Sequence, residues 1–176
     1  FFARVEMRTS FSVAPGWYVA AASHELNAEP IAVTLAATPL VLFRNSQRTA
    51  FALTDRCPHR NAPLSEGLVV GDAIRCPYHG WKFDTEGACI DQPAERDNTN
   101  FVDRVRASAG KVAELGGLVW AYVGPDPAPV LPRFDTYVMD GYRDIGWADL
   151  PCNYVQIMEN AVDPHHVEWL HGRYFE

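Results

Sequence analysis

The chain has 176 residues, of which 48% are apolar, and a formal net charge of −7. That apolar content supports a packed core and excludes disorder over most of the length, while an acidic balance without a Lys/Arg stripe excludes nucleic acid as a partner. No stretch approaches the roughly 20 apolar residues of a membrane span, and the aromatic start, broken by Arg4, Glu6 and Arg8, does not read as a signal peptide, so a cytoplasmic setting is expected.

Trp17 to Ala20 is the first strand candidate. Ile31 to Leu35 and Leu40 to Arg44 are apolar runs separated by Thr38-Pro39, with a turn at Asn45-Ser46-Gln47. Phe51 and Leu53 lie in the next strand. Gly71-Asp72 reads as a hairpin turn between Leu68–Val70 and Ile74, and Glu86-Gly87 as a turn after Lys82-Phe83-Asp84. Gly116-Gly117 introduces a strand over Leu118 to Val123. Many short strands with regular turn signals predict a mainly β sandwich or barrel. Four prolines between Gly124 and Pro132 predict an extended linker over 125–135. Beyond it, Asp144 to Trp147 is expected to begin another sheet. Asn153 to Asp163 reads as a helix with Val155, Met158 and Val162 on one face. Asp163-Pro164 then has the form of an N-cap followed by a first-turn proline. Trp17, Trp120 and Trp147 are expected in the core, His24 in a structural role, and Arg60 at the surface.

Four cysteines are too few for a disulfide framework in a chain of this size. Cys89 and Cys152 read as ordinary core or surface residues. The other two stand in matched loops: Cys57-Pro58-His59 and, after sixteen intervening residues, Cys76-Pro77-Tyr78-His79-Gly80-Trp81. Two thiolates and two imidazoles can hold tetrahedral zinc, or a [2Fe–2S] cluster with both cysteines on one iron and both histidines on the other. Zinc sites more often use paired cysteines or a helical His pair, whereas one Cys and one His per tight loop suits a two-metal unit gripped from both sides. The prolines stiffen the loops, Gly80 allows close backbone approach, and Trp81 can shield the metal from water.

At these residues the chain resembles the Rieske family. The resemblance implies that Cys57 and Cys76 bind the inner iron, and His59 and His79 the outer one. Respiratory Rieske proteins carry an extra, disulfide-forming Cys in each loop and a Ser after the His-Gly pair. Here Ala62, Tyr78 and Trp81 hold those places, which predicts a cluster potential low in the Rieske range.

The tail from Glu159 to His171 holds three histidines and three carboxylates in thirteen residues. Two His and one carboxylate with open positions suit non-haem Fe(II). His166 and His171, however, are five apart, about 500° of rotation on a regular α-helix, so sharing a metal requires an irregular turn. Taken alone, the segment also fits a capped surface helix.

Together, the two motifs resemble the large (alpha) subunit of Rieske non-haem iron oxygenases, the aromatic-ring-hydroxylating and demethylating family, whose pattern Asn-x-x-Asp-x-x-His-x-x-x-x-His matches Asn160, Asp163, His166 and His171. The resemblance implies iron binding by His166 and His171, with His165 not a ligand. Asp163 would bridge toward His79 of a neighbouring subunit, with Asn160 close to the iron. It implies a Rieske-type β domain over 1–124, the 125–135 linker, and the start of an α+β catalytic domain over 136–176. The third iron ligand, an acidic residue, is expected downstream, so the chain reads as a piece of a longer protein. Implied partners are a reductase, directly or through a ferredoxin, together with O₂ and an organic, aromatic substrate, in a homo-oligomer with a trimer favoured. The competing readings are a Rieske ferredoxin that only carries electrons and a zinc-binding structural module.

Overall fold

The structure is a computed structural model, and it describes residues 13–93 and 102–174. The chain divides into two compact units, one ending at Arg143 and the other starting at Asp144.

Among the described residues of the first unit, eleven strands form three antiparallel sheets. Strands β1 (Gly16–Ala22), β10 (Val112–Leu115) and β11 (Leu118–Val123) make the first sheet, in the order β1-β11-β10. The second runs β2 (Ile31–Leu35), β3 (Thr38–Arg44), β4 (Ala50–Thr54) and β9 (Ala109–Gly110). The third is the meander β5 (Leu68–Val70), β6 (Ala73–Arg75), β7 (Lys82–Asp84) and β8 (Cys89–Asp91).

The strands follow the alternation of their side chains. In the meander the row Val69, Ile74, Phe83 and Cys89 turns inward, and the row Leu68, Arg75, Lys82 and Asp91 lies on the opposite face. The inward row joins Val41, Phe43, Leu53, Leu64 and Trp81 in one core, which also takes in Cys57 and Cys76. Phe43 and Phe83 are fully buried, a burial that contributes about 2–3 kcal/mol each. A second core packs Leu26, Leu42, Ala52 and Val119.

The hairpin of β2 and β3 departs from the sequence reading. Its turn is Ala36-Ala37, both at positive φ, and Pro39 lies inside β3 opposite Thr34. Asn or Gly is usual in such a turn, so two alanines left no signal. Pro39 fits because its carbonyl faces away from β2 and accepts from Asp55 N–H at 3.0 Å, so its missing N–H leaves the β2 ladder intact. Arg44 at the end of β3 uses all five donors: the carbonyls of Leu26, Ser23 and Arg48, and both Glu114 carboxylate oxygens.

The proline-rich stretch runs along the first unit. Trp17 Nε1–H donates to Pro129 O at 2.8 Å, Tyr122 hydroxyl donates to Pro125 O at 3.0 Å, and Tyr137 of helix α1 (Asp135–Val138) packs its ring against Trp120. Trp120 is buried as expected and His24 lies at the surface.

In the second unit no strand forms at Asp144 to Trp147, and Trp147 is 72% exposed, which corrects both expectations for that segment. Short alternation there found no neighbouring strand to pair with. Helix α2 (Tyr154–Ala161) is shorter than the expected 153–163: Asn153 caps its start, its side chain accepting from Val155 N–H, and Val162 ends it before Asp163 caps the next helix. Val155, Met158 and Val162 are exposed. Helix α3 (Pro164–His166), a π turn (Val167–His171) and helix α4 (Gly172–Tyr174) follow. No helix among the described residues is long and apolar enough to cross a membrane.

Candidate metal centres

The loop after β4 and the loop between β6 and β7 close in the same way. In the first, Cys57 N–H donates to Ala62 O at 2.8 Å and Asn61 N–H donates back to Cys57 O at 2.8 Å. In the second, Cys76 N–H donates to Trp81 O at 2.8 Å and Gly80 N–H to Cys76 O at 3.1 Å. The residue four past each cysteine has positive φ, 57° at Asn61 and 74° at Gly80. Backbone conformation is therefore what Gly80 supplies; a Cβ there would first meet the Pro93 ring at 3.3 Å.

These closures set two cysteines inward and two histidines outward. Cys57 and Cys76 are buried in the core, His79 is exposed, and His59 is half-buried. The imidazole rings of His59 and His79 lie 4.5 Å apart, and Trp81 stacks on His59 at 4.4 Å with an interplanar angle of 4°. Burial, then the neighbouring Cys76 thiol, pushes the Cys57 thiol up to about 11, while the backbone N–H groups of His59 and Arg60 pull the other way. Metal binding has to displace that proton, and those two N–H groups favour the thiolate formed.

His59 Nδ1 is buried with no hydrogen-bond partner among the described residues. A buried imidazole nitrogen left unpaired is costly unless it binds something, and a metal ligand is such a case. Among the described residues no three His, Cys, Asp or Glu side chains surround a single-ion position, and a two-iron cluster asks for only two protein ligands per iron. All four cysteines are free thiols. The donor set thus fits a [2Fe–2S] cluster.

Residues 16–108, more than half of the chain, match the family described as the Rieske [2Fe–2S] domain. The chain belongs to that family. The chain is 45% identical over 148 residues to the 5,5'-dehydrodivanillate O-demethylase oxygenase subunit of Sphingobium sp., covering 81% of this chain and 34% of that protein. It is 37% identical to the oxygenase component of dicamba O-demethylase from Stenotrophomonas maltophilia, covering 88% and 46%. The crystal structure of dicamba monooxygenase with non-haem iron and dicamba superposes with a TM-score of 0.76 at 34% identity, over 88% of this chain and 48% of that one. The chain thus spans between a third and a half of these three proteins, and the two curated relatives are named as an oxygenase subunit and an oxygenase component, in keeping with the family that the two motifs together resemble.

That second motif lies in the other unit. Asp163 caps α3, its Oδ1 accepting from His165 N–H at 2.9 Å, and its Oδ2 stands 3.6 Å from His166 Nδ1. The capping role of Asp163 is met by Oδ1, and Oδ2 is left facing the His166 imidazole without a hydrogen bond to it. Gly172 N–H reaches back five residues to Val167 O, which widens the turn into a π turn. That is the irregular turn the five-residue spacing required, and the His166 and His171 rings sit 5.4 Å apart. Among the described residues His166 Nδ1 is, with His59 Nδ1, a buried side-chain nitrogen without a hydrogen-bond partner. Asn160 lies on α2, and its carbonyl accepts from Asp163 N–H at 3.4 Å.

Sequence reasoning missed the braces around the Rieske loops. Asp55 takes Ser65 N–H and Oγ–H, both at 2.7 Å, across the first loop. Arg75 donates to Gly80 O at 2.7 Å and to Asp91 Oδ2 at 2.8 Å across the second. Only the sheet register brings the latter pair together, so no local motif announced it.

Proposed function

We propose that this chain is the electron-input portion of an oxygenase large subunit, in which Cys57, His59, Cys76 and His79 hold the cluster and His166 and His171 hold a mononuclear Fe(II). When bound, the cluster supplies single electrons and the iron supplies O₂ activation, for hydroxylation or O-demethylation of an organic, aromatic substrate. The buried thiols anchor the cluster in the core, and the imidazoles hold its outward side. Trp81 covers His59 and excludes water. Its place after His79-Gly80 supports a cluster potential near the lower Rieske limit of about −150 mV. Asp163 Oδ2, 3.6 Å from His166 Nδ1, would orient that imidazole on closing this gap and, in an oligomer, is available to His79 of a neighbouring subunit, with Asn160 close by. A carboxylate from outside the described residues would complete the iron site. Domain limits at 1–124, 125–135 and 136–176 remain our division of the chain.

One observation carries the oxygenase reading over that of an electron-carrying ferredoxin: the π turn that pairs His166 with His171. The named demethylases among the relatives favour an O-methyl substrate. Relatives named as an oxygenase subunit and an oxygenase component support a reductase as electron donor, directly or through a ferredoxin, and a cytoplasmic setting is part of this reading. A trimer suits the inter-subunit role of Asp163.

The test is O₂ uptake by the reduced full-length large subunit with and without His166→Ala. We expect the variant to keep a reducible cluster and lose substrate-dependent O₂ uptake. Unchanged uptake would leave the carrier as the better reading.

A further inference from the structure

Arg75 immediately precedes Cys76, and Gly80 immediately follows His79, so the guanidinium that joins them spans the whole second ligand loop at its base. Nη1 donates to Gly80 O at 2.7 Å and Nη2 to Asp91 Oδ2 at 2.8 Å. Asp91 belongs to β8, two strands away, in the cross-strand row Leu68, Arg75, Lys82 and Asp91. The Arg75 side chain is 29% exposed and that of Asp91 37%. At such half-buried positions a lone charge is felt by its neighbours more strongly than in bulk water. The fork geometry of guanidinium lets one side chain serve a carbonyl and a carboxylate at once, which an ammonium does less well.

We propose that Arg75 is a positioning residue for the Rieske centre, holding the His79 loop through the Gly80 carbonyl, and that Asp91 balances its charge so that the pair leaves the cluster potential unbiased. The proposal rests on the cluster reading above. Its electrostatic signature differs from that of a purely structural clamp. Removing Asp91 leaves an uncompensated cation beside the loop, which favours the reduced cluster. Removing Arg75 takes one positive charge from beside the loop and leaves Asp91 with only its cross-strand neighbour Lys82, which favours the oxidised one. A structural clamp lost from either end would move the potential the same way.

The experiment is a redox titration of the iron- and sulfide-loaded chain and of its Asp91→Asn, Arg75→Gln and double variants, read by visible absorption and electron paramagnetic resonance. We expect the potential to rise in Asp91→Asn, to fall in Arg75→Gln, and to return toward the parent value in the double variant. Arg75→Lys, which keeps the charge, should shift the potential less than Arg75→Gln. Shifts of the same sign in both single variants, or none in either, would overturn the proposal while leaving the cluster reading intact. A parent chain that forms no cluster would overturn both.

Discussion

Asn61 and Gly80 occupy the same step of two matching loops, and each takes a backbone conformation with positive φ. The sequence drew attention to Gly80 as a point of close backbone approach, and to Asn61 not at all, because asparagine merely tolerates the conformation that glycine adopts freely. Asn61→Gly should therefore leave thermal stability nearly unchanged. Asn61→Val should lower it by about 1–2 kcal/mol, since a β-branched side chain strains there. Equal melting temperatures for the two variants would contradict this. Arg44 and Glu114 are seventy residues apart, and only the folded sheets bring them within 2.6 Å. Hydrogen bonds from Arg44 hold the Glu114 carboxyl below its ordinary value near 4.5. A depressed carboxylate stabilises the fold above its unfolded value and loses that stabilisation as pH falls through the folded one. Glu114→Gln should thus lower stability by about 1 kcal/mol at neutral pH. The difference from the parent should vanish on acidification below the ordinary carboxylate range. A difference independent of pH between neutrality and strong acid would exclude the ion pair as its cause.

Among the elements, the π turn shows what spacing can and cannot say. A step of five positions from His166 to His171 sets them on different faces of any regular α-helix, so sharing a metal demanded an irregularity without fixing its kind. The backbone supplies it with a π turn whose last i→i+5 hydrogen bond closes on Val167 O. The cap before it was legible, because Asp-Pro is a local signal. The cap and the imidazole contact of Asp163 can be separated experimentally. Asn is as good a cap as Asp, so Asp163→Asn should keep stability, whereas Asp163→Ala should lose about 1 kcal/mol. If Asp163 also links the two metal centres, both variants should slow electron transfer from cluster to iron alike in the full-length oligomer, with both metals still bound. Normal transfer in Asp163→Asn would leave the capping role alone. The strands behaved similarly: turns marked by Gly71, Gly87 and Gly116-Gly117 were legible, whereas the Ala36-Ala37 turn was not, and Asp144 to Trp147 had a short alternation of polar or small with apolar residues but no partner.

For the whole molecule, the chemistry was more legible than the architecture that holds it. Ligand spacing in each Cys–His loop is local and is written directly in the sequence. The burial of Cys57 and Cys76 beside Phe83 and Trp81, the register that brings Arg75 to Asp91, and the run of the proline stretch along the first unit arise only when distant segments meet. Mixed cysteine and histidine ligation of one two-iron cluster is the claim on which the reading of both units rests. Its most direct test is electron paramagnetic resonance of the reduced, iron- and sulfide-loaded chain with detection of nitrogen couplings. We expect one cluster per chain with nitrogen couplings from two imidazoles, and loss of one set in His79→Cys. A colourless zinc-bearing chain, or a cluster without nitrogen coupling, would contradict it.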